Sequence, residues 1–250
     1  MKIIEKKSIC GVDFTNISMD TLSYYLRDSL RDSEKLFIVT PNVDFIVQAY
    51  RDVEFRSIIN DADLSLCDSM IVLWASRLLG RKLETRITGF DVCEMLLNLC
   101  QDRRGKVFLL GANEEALKLS ADRLTKSYPR LLVAGMRDGY FDLKKTDVII
   151  QEINKSGAEY LFVGMGSPKQ ERWVYQNIDK LKVKFIVCIG GLFCVFSGQV
   201  RRAPLVIQSC GLEWAWRLLH DPQRLWKRYL IDDMKFFGIL IKTILERKEA

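Results

Sequence analysis

At 250 residues, 48% of them apolar, the chain has material for one large α/β domain or two small ones, with a proper core. Its net charge of +6 is a mild excess that suits an anionic partner, whether a phosphate-bearing ligand, an acidic lipid surface or nucleic acid. One histidine and seven irregularly spaced cysteines without a Cys-x-x-Cys pair argue against a zinc site and for reduced thiols in a cytosolic protein.

The first residues, "MKIIEKKSICGVDF", contain no long apolar run of the kind a signal peptide needs. From there, short apolar runs alternate with helical patterns. The predicted strands are 35–40 (KLFIVT), 64–68 (LSLCD), 106–111 (KVFLLG), 131–136 (LLVAGM), 160–166 (YLFVGMG) and 184–190 (KFIVCIG). They are continuous Val, Ile, Leu and Phe runs without polar alternation, as strands covered on both faces read. Amphipathic stretches near 43–60, 69–80, 89–102, 113–127, 144–155 and 168–179 lie between them. Strand and helix in alternation predict a mostly parallel sheet with helices on both faces.

Ligands of open α/β sheets bind outside the carboxyl ends of the strands. Those ends carry Thr40, Pro41 and Asn42; Asp68; Gly111 and Asn113; Asp138, Gly139 and Tyr140; the corner "GMGSPKQE"; and "GGLFCVFSG". Small, polar and phosphate-friendly residues gather on one rim. In the corner, Gly164 and Gly166 could admit a phosphate to the backbone at a helix start. Equally, Ser167 can cap that helix, with Pro168 at its first position and Gln170 closing a capping box.

From about residue 200 the texture changes to two or three helices, so 1–199 reads as the α/β domain and 200–250 as a helical appendage. Between 200 and 230 the appendage carries Arg201, Arg202, Arg217, Arg224, Lys227 and Arg228 against Glu213 and Asp221, with Trp214, Trp216, Trp226 and Tyr229 among them. Basic residues mixed with Trp and Tyr suit a membrane interface; a helical hairpin packed on the domain is the plainer reading. The apolar run "FFGILIKTIL" has ten residues with a lysine inside, short of the ~20 that span a bilayer.

Histidine-based catalysis finds little support, because His220 stands alone at a helix end. There is no P-loop, "GMGSPK" lacks the third glycine of a dinucleotide fingerprint, and "DAD" at 61–63 precedes its strand rather than ending it. The remaining candidate is Asp68 at a strand end, able to serve as a general base on a hydroxyl. Spacing alone favours the alternative, an N-cap for the helix opening at Ser69 or Met70. Asn42 and Thr40 could be turn residues around Pro41, and Arg86 an ordinary loop charge.

Taken in order, "TPNVD", "ADLSLCDSMIVLWASRLLG", "RITGFD", "VFLLGAN", "DGYF", "LFVGMGSPKQERW", "GGLFCVFSGQVRRAP" and "GLEWAWRLLHDPQRLWKRYL" resemble the WecG/TagA/CpsF glycosyltransferases (glycosyltransferase family 26) over residues 10 to 232. The resemblance implies a Rossmann-like fold of the GT-E type. It also implies an inverting transferase, peripheral on the inner face of the bacterial cytoplasmic membrane. Such an enzyme moves a sugar, N-acetylmannosamine in the best-known members, from a UDP-sugar to a polyprenyl-diphosphate-linked sugar such as undecaprenyl-diphosphate N-acetylglucosamine. The products are teichoic acid or other surface polysaccharides, and no metal cofactor is expected.

By resemblance, Asp68 matches the base, Thr40 and Asn42 a strand-end pair lining the pocket, and Arg86 and Gln170 further pocket residues. Arg217, Arg224 and Arg228 match basic positions of an appendage that closes over the site and touches an anionic membrane. Two departures stand out: Cys67-Asp68-Ser69 where Pro-Asp-Gly is common, and Cys194 where "GGAFD" has its acid. They leave room for a non-catalytic nucleotide-sugar or lipid-binding module. Nucleic-acid binding is not expected, since the basic arm lacks a motif for it. An apolar surface around the arm is compatible with a homo-oligomer.

Overall fold

The computed structural model describes residues 4–209 and 211–249; the side chains of residues 205, 209, 224, 228 and 247–249 lie outside the described part. An antiparallel hairpin opens the chain, β1 (Lys6–Ile9) against β2 (Val12–Thr15), turning through Cys10 and Gly11, both at positive φ. Helix α1 (Met19–Asp28) follows, capped by Ser18. Neither the hairpin nor α1 is among the elements predicted from sequence.

The six predicted strands all form: β3 (Leu36–Val39), β4 (Leu64–Ser65), β5 (Lys106–Gly111), β6 (Leu132–Arg137), β7 (Tyr160–Gly164) and β8 (Phe185–Cys188). They make one parallel sheet in the order β4-β3-β8-β7-β5-β6. The continuous apolar runs are explained by two cores. Phe37, Val39, Phe108, Leu110, Leu161, Val163, Ile186 and Cys188 face one. Leu36, Ile38, Val107, Leu109, Tyr160, Phe162, Phe185 and Val187 face the other. Period-two alternation therefore sorts side chains between two apolar layers rather than between core and water.

The connecting helices are α2 (Val43–Arg51), α3 (Val53–Asp61), α4 (Met70–Leu78), α5 (Gly89–Asp102), α6 (Glu114–Ser127), α7 (Thr146–Ser156), α8 (Lys169–Asn177) and α9 (Leu192–Phe196). The single helix predicted over 43–60 is two. Asp52 stands in extended backbone, ends α2, and caps α3 by accepting from Phe55 N–H at 2.9 Å. One tight approach sets the rim: Gly111, at φ 136°, lies so close to Gly164 on the next strand that a Cβ there would fall on its carbonyl.

The tail forms α10 (Leu205–Ser209), α11 (Glu213–His220), α12 (Pro222–Lys227), a π-type turn over 228–232 and α13 (Lys235–Glu249). Helix α13 returns to the α/β layer, burying Phe236, Ile239 and Leu240 in the core that includes α2. Its opposite face carries Phe237, Ile241 and Leu245, and Met234 just precedes the helix, all exposed. Among the described residues no helix is long and apolar enough to cross a membrane. The six described cysteines are free thiols, five of them buried; Cys210 lies outside the described residues.

Candidate active site

Three helices begin around one carboxylate. Asn42 caps α2, accepting from Phe45 N–H at 3.4 Å. Ser69 caps α4, accepting from Val72 N–H at 3.4 Å. Thr88 and Asp91 form a full capping box at the start of α5. Each N-terminus brings unpaired N–H groups and a partial positive charge. The loop carrying Asp68 is threaded among them: Asp68 N–H donates to Pro41 O (3.0 Å), and Ile87 N–H donates to Cys67 O (2.9 Å).

Because Ser69 caps α4, the carboxylate of Asp68 is released from that duty and accepts from Gly89 N–H instead. Burial is the larger influence on it and lifts its pKa to about 6, while the Arg86 and Arg217 guanidiniums pull the other way. Arg86 is no loose surface charge. Its side chain is 15% exposed, and Nη2 lies 3.4 Å from Asp68 Oδ1 and 2.6 Å from Glu213 Oε2. Glu213, on the first turn of α11, also accepts from Arg217 Nη2 at 2.6 Å. Burial opposes ionisation of Glu213, but the Arg217 and Arg86 guanidiniums outweigh it and hold its pKa below the usual carboxylate value.

These groups floor a cavity of about 380 Å³ lined by Asn42, Asp68, Arg86, Glu213 and Arg217 below and by Met70, Ile71, Trp214, Leu230, Met234 and Phe237 above. A polar floor under apolar walls suits a ligand with a charged head and a greasy body. On the far side of Asp68 and Glu213, a smaller cleft of about 30 Å³ is bordered by Thr88, Phe90, Arg201 and Arg202. Arg202 ties the root of the appendage to α5, contacting Asp91 at 3.3 Å and lying 4.1 Å from the Phe90 ring centroid.

Of the residues singled out from sequence, Asp68, Asn42, Arg86 and Arg217 meet in the main cavity. Thr40 does not line it; Thr40 is buried under the start of α5, where a Cβ on Gly89 would come within 3.1 Å of its Oγ1. The corner after β7 lies outside the lining too. Gly164 is buried, a Cβ there colliding with the Phe193 ring at 2.6 Å, whereas Gly166 faces open space. The capping box anticipated there does not form. The Ser167–Pro168 peptide is cis, α8 starts at Lys169, and no side chain caps it.

Gln170 is buried instead, donating to Glu171 Oε1 at 2.6 Å and accepting from Gly190 N–H at 3.1 Å. It braces the turn after β8, the strand next to β3. The side chains of Arg224 and Arg228 lie outside the described residues. His220 lies 4.2 Å centroid to centroid from Trp216 on its own helix, away from the cavity. At the two departures from the family pattern expected from sequence, Ser69 caps α4, and Cys194 sits on α9, outside both cavities.

Sequence reasoning did not single out Glu213. The available signal was its place one helical turn before Arg217, as almost the only acid in a basic stretch. The apolar walls from α13 carried no local signal, because they meet the site only through the fold.

A carboxylate with a raised pKa, set against two guanidiniums and three helix starts, has the chemistry to take a proton from a hydroxyl beside an anionic group. The chain belongs to the glycosyl transferase WecG/TagA/CpsF family, whose sequence profile matches residues 7–250. It is 32% identical over 245 residues, 97% of this chain and 93% of the relative, to an N-acetylglucosaminyldiphosphoundecaprenol N-acetyl-beta-D-mannosaminyltransferase of Staphylococcus aureus. Proteins of the same name from Bacillus spizizenii and Bacillus subtilis are 31% and 28% identical, each over 91% of this chain and 88% of the relative.

Three outcomes are expected. Activity should fall on the acid side as Asp68 protonates, with a limb in kcat/KM near pH 6. Asp68→Asn should then keep the fold while the rate drops by roughly 10²–10⁴ and that limb disappears. A limb that persists in Asp68→Asn would show that another group is the base. Gln170→Ala should lower stability by about 1–3 kcal/mol in urea titration, because it strands the Gly190 N–H and the Glu171 carboxyl. An unchanged midpoint would show that the brace carries no load.

Proposed function

We propose that the protein is an inverting glycosyltransferase that uses a UDP-sugar, of the N-acetylmannosamine type, to glycosylate a polyprenyl-diphosphate-linked sugar such as undecaprenyl-diphosphate N-acetylglucosamine. The product would feed a cell-surface polymer such as teichoic acid. The observation that carries this reading is the placement of Asp68: a carboxylate with a pKa of about 6, opening into a cavity whose floor sets two guanidiniums beside it and whose walls are apolar. The names of the relatives supply the substrate class.

In the reaction, Asp68 takes the proton of the acceptor hydroxyl as that oxygen bonds to C1 of the donor sugar. The bond from C1 to the UDP oxygen breaks, and UDP leaves with the electron pair. Arg86, Arg217 and the starts of α2, α4 and α5 are the groups placed to meet diphosphate charge. Preorganised cations and N–H groups lower the barrier because they need no rearrangement when charge develops. This reading assigns the leaving-group role to the protein's own cations, with no metal in the step. The apolar walls from α4, α11 and α13 suit the first units of the prenyl chain.

The membrane belongs to the same proposal. Phe237, Ile241 and Leu245 on α13, with Met234 just before it, form an exposed apolar stripe, and Met234 and Phe237 also line the cavity. With Trp226 exposed nearby, and lysines and arginines along the tail, this face suits an anionic bilayer at the inner leaflet, where a lipid-linked acceptor would be presented.

Incubation with UDP-N-acetylmannosamine and a short polyprenyl-diphosphate N-acetylglucosamine should release UDP, and EDTA should leave the rate unchanged. Saturable binding of both substrates with no UDP released would instead make the protein a binding module. Flotation with vesicles containing about one-third anionic lipid should carry the protein upward, and Phe237→Glu with Ile241→Glu should abolish this. Flotation unaffected by the double substitution would remove α13 as the membrane face.

A further inference from the structure

The carboxylate of Glu213 bridges two guanidiniums, Arg86 Nη2 and Arg217 Nη2, at 2.6 Å each. These are the contacts an oxygen of a diphosphate would make with the same pair, because arginine's planar fork accepts carboxylate and phosphate with the same geometry. Glu213 is carried by the appendage, 127 residues along the chain from Arg86, and its side chain is only 12% exposed. Its ion pair with Arg86 therefore seats α11 across the floor that holds Asp68, while the pair with Arg217 lies within α11 itself. Arg86 keeps unused donor capacity, since its Nε is buried and has no hydrogen-bond partner among the described residues.

The geometry points to Glu213 as a displaceable latch. The Glu213 carboxylate occupies the oxyanion position between Arg86 and Arg217, and an arriving diphosphate must displace it to reach those guanidiniums. This rests on the reading above that a diphosphate group reaches the floor, and it adds how the floor is kept closed without one. Charge makes the exchange sensible. Asp68, Arg86, Glu213 and Arg217 sum to zero with the latch closed, so the partly buried floor holds no unpaired charge. A diphosphate brings more negative charge to the same two cations and outcompetes a single carboxylate. With Glu213 released, α11 loses its tie to Arg86 and gains freedom to move at the occupied site.

The test needs no sugar transfer, so its result is separable from that of the transferase reading. Calorimetric titration with inorganic diphosphate should show roughly tenfold tighter binding to Glu213→Gln than to the wild-type chain, a tenfold change being about 1.4 kcal/mol. Equal or weaker binding to Glu213→Gln, or binding to neither protein, would overturn the latch, since Glu213 would then position the arginines or have no part in anion binding. UDP and farnesyl diphosphate, titrated in parallel, identify the source of the diphosphate: the ligand whose affinity rises in Glu213→Gln is the one that opens the latch. A rise for neither overturns the proposal. A second measurement uses the unmutated chain. Saturating diphosphate should speed amide hydrogen exchange across residues 213–220; slower or unchanged exchange there would mean that α11 closes on the anion rather than yielding to it.

Discussion

The site hangs on one cation. Arg86 lies within ion-pair distance of two carboxylates that come from opposite ends of the chain, Asp68 after β4 and Glu213 at the start of α11. Both acids are at least three-quarters buried, at 24% and 12% exposure, and without Arg86 they would face each other as like charges with little water between them. A buried charge left without its partner costs several kcal/mol, far more than a surface ion pair contributes. Guanidinium suits the position because it stays charged at every relevant pH and can engage two acids with separate N–H groups. The same contact therefore seats the appendage and keeps an acid available at the strand ends.

The sheet explains why that cation can be placed so well. Asn42, Asp68 and the segment from Arg86 to Thr88 are held by backbone bonds at the carboxyl ends of β3 and β4, and Gln170 braces the turn of the neighbouring β8. Strands β3, β5, β7 and β8 are covered on both faces, so loops at this rim rest on rigid supports, whereas the edge strand β6 is partly exposed. Helices α2 and α4 start there because parallel connectivity sends each strand end into a helix start, whereas α5 follows α4 and is brought to the rim by the Ile87 N–H bond to Cys67 O. The positive ends of several helix dipoles thus follow from topology, and the capping residues Asn42, Ser69 and Thr88 fix where they point.

Much of this was legible in the chain. The six strands could be read because apolar runs without alternation have few other meanings at that length, and the rim followed from the parallel topology they imply. The hairpin over 6–15 could not, because "KKSI" and "VDFT" are short and half polar and acquire their meaning from the layers they pack on. The break at Asp52 hid inside an amphipathic pattern that a cap residue can interrupt without changing the face. Asp68 shows a sharper limit. Aspartate and serine side by side before a helix can each be the cap, and only coordinates reveal that Ser69 takes that role and leaves Asp68 to the cavity. For Gln170, spacing suggested a local box, whereas a bond to Gly190 on another connection won. Glu213 was visible as an acid among bases, but its partner Arg86 is remote in sequence.

The two acids on Arg86 are also held at opposite ends of the carboxylate range. Asp68 has one longer contact to the guanidinium and loses water on most sides, so its proton affinity rises toward neutrality. Glu213 has two short contacts to two different cations, so it stays ionised despite similar burial. Environments that separate like groups in this way separate their roles. An acid that gains and loses a proton near pH 6 is suited to accept one from a hydroxyl; an acid locked in its charged form is suited to occupy cations and to be exchanged for another anion. Ser69 fits this division, since its cap on α4 leaves the Asp68 carboxylate free of that role. The partition thus comes from a side chain adjacent to the base and from a helix that packs against the rim from the far end of the chain. Neither acid's role could be assigned from its own segment alone.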